Sequence, residues 1–169
     1  MTRPIQGDYG NFYEGYVSKV DSPNLQETVA TYSHTLTRFY ATLPEEKADY
    51  RYAPEKWSLK DVLQHVIDTE RIMSYRLLRI ARNDTTPLPG FEENNYAISA
   101  NAASRTFSSL KEEFVALRKS TDLLLESLSD DQLSKMGNAS GNNITANATG
   151  YVIYGHLMHH KTIIEERYL

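Results

Sequence analysis

The segment LKDVLQHVIDTERIMSYRLLRIAR, residues 59–82, contains no glycine or proline, and its apolar side chains recur at helical rather than alternating spacing. Ser58 stands before it and Asp61 three positions later, the pattern of a capping box with Asp in place of the usual Glu. The spacing predicts a helix from about Leu59 to about Asn83, stopped by the turn-rich run NDTTPLPGFEENN at 83–95.

Working outward, three more amphipathic segments emerge. The first helix is expected to begin after Asp21-Ser22-Pro23, with a capping residue ahead of a first-turn proline, and to run to about Leu43. Another is expected over Ser99–Leu128, with Phe107, Leu110, Phe114, Leu117, Leu124 and Leu128 on its inner side, followed by a short turn in SDDQLSK. The Asn- and Gly-rich run MGNASGNNITANATG reads as a loop, until Thr145 or Thr149 caps a last helix ending near Arg167. Residues 1–20 read as an irregular arm packed on the bundle by Tyr9, Phe12, Tyr13 and Tyr16. Four helices without a strand pattern predict an all-α four-helix bundle forming one domain over residues 1–169. The connectors, about 14–17 residues each, exceed the usual helix-to-helix length, so loop length does not set the topology.

Composition narrows the function. A hydrophobic fraction of 40% with 24% charged residues suits a soluble folded domain. No apolar run is long enough for a membrane span, and no secretion signal is evident, so a cytoplasmic location is expected and membrane partners are not. On that reading the Asn-x-Ser/Thr matches at Asn83, Asn138, Asn143 and Asn147 are chance. A net charge of −4 argues against nucleic acid as a partner. The run Arg71, Arg76, Arg79, Arg82 reads as a solvated helix face pairing with carboxylates. With no cysteine, strong metal ligation is left to His, Asp and Glu.

Three of the five histidines lie in GHLMHHKTIIEERYL at the end of the chain. With His156 at zero and about 100° per residue, Val152, Ile153, Leu157, Ile163 and Ile164 centre near +36°, His160 near +40° and His159 near −60°. His156 and His160 therefore face inward one turn apart, a spacing that suits chelation of one ion. The competing reading is one buried, hydrogen-bonded histidine with the other partly exposed. A third ligand must come from another helix, with His65, His34 and inward carboxylates as candidates. His65 sits on the shoulder of its helix, about 85° from the centre of the apolar stripe, with Thr69, Ile72 and Arg76 close to it in angle.

KWSLKDVLQHVIDTERIMSYRLLRIAR at 56–82, PLPGFEENNYA at 87–97 and YGHLMHHKTIIEERYL at 154–169 together resemble the DinB/YfiT-like superfamily, in order along nearly the whole chain. The resemblance implies an up-down-down-up four-helix bundle with three histidines holding zinc or nickel. Position by position it assigns the ligands to His65, His156 and His160 and leaves His159 as a flanking residue.

Three protein nitrogens leave a coordination position open, the arrangement of catalytic rather than structural sites. The resemblance implies two enzyme classes, metal-dependent hydrolases and transferases of low-molecular-weight thiols such as bacillithiol or mycothiol. A non-catalytic metal-binding stress-response protein is the alternative. Asp68 and Glu70 are candidates to orient a ligand or accept a proton, and Arg76 to bind a substrate carboxylate or phosphate, although solvation or ion pairing is the commoner fate of such side chains. A small-molecule substrate is expected, and exposed tyrosines in the arm leave a homodimer open.

Overall fold

The computed structural model describes all residues, 1–169. After a 3-10 turn at Asn11–Tyr13 come α1 (Glu14–Val17), α2 (Leu25–Ala41), α3 (Leu59–Ala81), α4 (Glu93–Ala100), α5 (Phe107–Glu126) and α6 (Asp130–Leu133). A hairpin of β1 (Met136–Ala139) and β2 (Asn142–Thr145) then leads into α7 (Ala146–Arg167).

The four long helices, α2, α3, α5 and α7, form the bundle, and their side-chain pairings give its directions. Lys111 reaches the carbonyl of Leu43 while Ser33 bonds Asp122, so α5 runs antiparallel to α2. Arg105 contacts Gln64 and Arg118 contacts Glu70, so α5 runs parallel to α3. A Cβ at Gly150 would meet Leu25, and the Tyr40 hydroxyl donates to the Leu157 carbonyl, so α7 runs parallel to α2. Gly137, just ahead of α7, abuts Ile80, while Tyr168 bonds the Trp57 carbonyl, making α3 and α7 antiparallel. The order is up-down-down-up, and the consecutive helices α2 and α3 lie on a diagonal.

Local chemistry explains several boundaries. Ser58 and Asp61 form the expected capping box, and Thr145 caps α7. The cap of α2 is Asn24 rather than a residue before Pro23, because its side chain accepts from the Glu27 amide. The helix expected from Ser99 is interrupted: Asn101 adopts a left-handed backbone, and α5 begins after Thr106, whose hydroxyl caps it. Leu124 is partly buried against the core, and its neighbour Leu125, not among the expected inner residues, is fully buried in it.

The Asn-rich run is a hairpin, not a loop. Ser140 and Gly141 both have positive φ, as two-residue primed turns require. Neither hairpin edge is left bare. The Leu88 amide donates to Asn138 on one side, and the Gly10 and Thr145 amides bond Asn143 and Asp8 on the other. In the arm, Tyr13 is buried as expected, whereas Phe12 is 66% exposed.

The core contains one charged cluster. Arg118, fully buried, binds Glu70 and Asp122, and the Tyr154 hydroxyl donates to the same Asp122 oxygen. Glu70 is thereby spent on Arg118. No helix is long and apolar enough to cross a membrane.

Candidate metal centre

His65 lies in the second turn of α3, inside the core rather than on its shoulder, because Trp57 folds over it with ring centroids 4.9 Å apart. His156 and His160 project from successive turns of α7, and all three residues are 6–9% exposed. Their rings converge, with centroids 4.5–5.1 Å apart. One ligand nitrogen from each lies within 4.8 Å of the others, and the Nε2 atoms of His65 and His156 are 3.1 Å apart. Two imidazole nitrogens on one tetrahedral ion at normal bond lengths stand about 3.3 Å apart. The His65–His156 pair already has that spacing, and the third nitrogen, within 4.8 Å of both, would complete a site for a single ion by a small side-chain shift. His160 Nδ1 is buried without a hydrogen-bond partner, so the cluster is incompletely satisfied by the protein alone.

Burial sets the charge state. Desolvation lowers the pKa of His65 to about 4 and of His160 to about 3, with neighbouring histidines adding to the effect, and it holds His156 well below its ordinary value. All three are neutral at neutral pH, the state needed for ligation. His159 is half-buried at the edge, its ring against Tyr16 and His160. His34 lies apart, in a groove between α2 and α5.

A cleft of about 130 Å³ opens on His65 and His156. Its floor is a stripe of α3, namely His65, Thr69, Met73 and Arg76, and its walls are Tyr13 and Tyr16 from the arm and Phe91 and Glu93 from the start of α4. α1 can lie this close to α7 because Gly155 has no side chain, and a methyl there would strike the Tyr16 carbonyl.

The other candidates separate cleanly. Asp68 is half-buried and accepts from Gln64, and burial raises its pKa more than that bond lowers it. Glu70 is turned into the core. Of the expected solvated arginines, Arg71 and Arg79 do pair with Glu113 and Asp84. Arg76 does not, being buried in the cleft. Tyr13, Tyr16, Thr69, Ser140 and Glu93 escaped the sequence reading as site residues. Only Thr69 left a trace there, its angle on the helix close to that of His65.

Residues 28–164 match the family model described as the DinB superfamily. No curated protein matches significantly by sequence. Among solved structures, the fold is similar to that of YfiT from Bacillus subtilis, described as a probable metal-dependent hydrolase with an unusual four-helix bundle topology, at TM-score 0.71 and 17% identity over 86% of this chain and 88% of that one. It is also similar to the mycothiol-dependent maleylpyruvate isomerase, at TM-score 0.67 and 17% identity over 84% of this chain but only 60% of the other. With its family match spanning the bundle from α2 to α7, the chain belongs to the DinB superfamily.

Proposed function

We propose that the protein is a metal-dependent enzyme in which His65, His156 and His160 hold one divalent transition ion, zinc or nickel, and that it transfers a low-molecular-weight thiol to an electrophilic substrate. The observation that carries this reading is the convergence of three buried, neutral imidazoles, two of which line a cleft. When bound, such an ion supplies Lewis acidity, lowering the pKa of a thiol or water that reaches its open position. Trp57 orients His65 by packing on its ring, and the tyrosine walls limit the access of bulk water.

Thiol transfer is favoured over hydrolysis by the acid–base inventory of the cleft. Its only carboxylate is Glu93, exposed at the mouth, while Glu70 is paired with Arg118 and Asp68 lies outside the lining. A thiol has an ordinary pKa near 8.5 and loses its proton to a nearby cation without a dedicated base. Hydrolysis by metal centres commonly draws on a carboxylate base. The second reading, a metal-dependent hydrolase, is kept by the likeness to YfiT and by Glu93 as the one carboxylate in this cleft.

Two measurements test the proposal. Metal analysis of purified protein is expected to give about one ion per chain, depleted by His65→Ala, His156→Ala or His160→Ala. Stoichiometric retention after all three replacements refutes the site. Metal-loaded protein incubated with an electrophile and bacillithiol, mycothiol or glutathione is expected to form a thioether adduct, abolished by His156→Ala. Turnover of esters or amides without thiol selects the hydrolase, and no metal-dependent turnover of either kind selects a non-catalytic metal-binding protein.

A further inference from the structure

The two deeply buried arginines of this protein are treated differently. Arg118 is neutralised by two carboxylates, Glu70 and Asp122. Arg76, only 4% exposed, has none. Its Nη2 donates to the Pro89 carbonyl at 2.7 Å and to Ser140 Oγ at 2.9 Å, and its Nη1 meets the sulfur of Met73 at 3.4 Å. These neutral partners satisfy part of a five-donor fork and leave its charge uncompensated. An unpaired buried cation is costly, and such groups are normally paired.

The site is also incomplete in a second respect. Thr69 Oγ1, on the same stripe of α3 between His65 and Arg76, is buried with no hydrogen-bond partner. Both groups line the cleft that ends on His65 and His156. Eleven residues of helix separate His65 from Arg76, about 16 Å along the axis and about 20° in angle, so both ends of the stripe face the same channel. The only acidic group in that lining is Glu93, which is exposed at the mouth.

We propose that Arg76 is the anchor for an anionic group, a carboxylate or phosphate, at the far end of an elongated small-molecule substrate whose reacting end lies at His65, His156 and His160. This rests on the metal-centre reading above. With both Nη2 hydrogens held by Pro89 and Ser140, the Nε hydrogen and one Nη1 hydrogen remain to donate to an oxyanion, and the Thr69 hydroxyl supplies a further contact along the path. Pro89 and Ser140 hold the fork in place, so the hairpin turn and the loop before α4 act as positioning elements.

The test uses cobalt-substituted protein and probes that carry a thiol at one end: mercaptoacetate, mercaptohexanoate and mercaptoundecanoate, each compared with the mercaptoalkanol of equal length and with a mercaptoalkylphosphonate. The sulfur-to-cobalt charge-transfer band reports the thiol end, and calorimetry gives affinity. The longer acids are expected to bind at least about tenfold tighter than the matching alcohols, whereas mercaptoacetate, too short to span, gains nothing from its charge. Arg76→Met is expected to abolish the preference while the band persists, and Arg76→Lys, which keeps the charge without the fork, to retain part of it. A stronger preference for the phosphonate identifies phosphate as the anion, and the reverse identifies carboxylate. Equal affinity of acid and alcohol at every length, with the band present, overturns the anchor and leaves the metal centre standing. Absence of the band with every thiol overturns both. If Arg76→Met does not fold, the wild-type comparison of acids with alcohols still decides.

Discussion

The three histidines are held neutral by burial, and that has a consequence for stability. In the unfolded chain each takes up a proton near pH 6.5, whereas folded His65 does so only near pH 4 and His160 near pH 3. Between those values the unfolded state binds more protons, so stability falls as pH falls. Metal-free protein is therefore expected to lose roughly 3 kcal/mol from His65 alone between about pH 6.5 and about pH 4, read by urea unfolding. His65→Phe is expected to make that part of the profile shallower, with His156 and His160 keeping the remaining slope, and an unchanged slope contradicts the assigned burial. The inward pair His156 and His160 could be read from helical angle alone. The burial of His65 could not, because it depends on Trp57, which is brought over the ring by the chain before α3 and is invisible to the periodicity of α3 itself.

Among the elements, the weakest in sequence are the ones that build the cleft. α1 is a single turn, kept against α7 because Gly155 lets the Tyr16 backbone approach. Gly155→Ala is expected to displace the arm and cost about 1–3 kcal/mol in thermal unfolding, despite the better helix propensity of alanine. Gly15→Ala, with open space around the added methyl, is expected to be neutral or mildly stabilising. Equal stability of the two variants would show that the α1 contact is not tight. Capping signals located α3 and narrowed the start of α7 to Thr145 or Thr149, of which Thr145 is the cap, since such residues act on amides within a few positions. The hairpin at 136–145 eluded the period-two test because its strands are four residues long and rich in Asn. It is held by pairing with the arm and with Leu88, contacts distant in sequence.

In the whole molecule, the three-histidine cluster joins α3 to α7, so an ion held there only by the folded state would add to global stability. Metal at about 100 times its dissociation constant is expected to contribute about 2.7 kcal/mol, which raises Tm by about 5–10 °C for a domain of this size. A chelator should reverse the shift, and protein lacking all three histidines should show none; an equal shift in that variant would place the ion elsewhere. Sequence alone establishes the helical class, the number of bundle helices, the cap of α3, and the inward direction of His156 and His160, while leaving the cap of α7 between Thr145 and Thr149. These depend on interactions within a few turns of one chain segment, where spacing in sequence is spacing in space. Tertiary structure alone decided that Arg76 is buried and unpaired while Arg118 is buried and paired, that Glu70 serves the core, and that the arm, the hairpin and α4 wall a cleft. Arginines on a helix look alike in sequence; their neighbours, supplied by segments dozens of residues away, determine which charge is compensated and which is left lining a cleft.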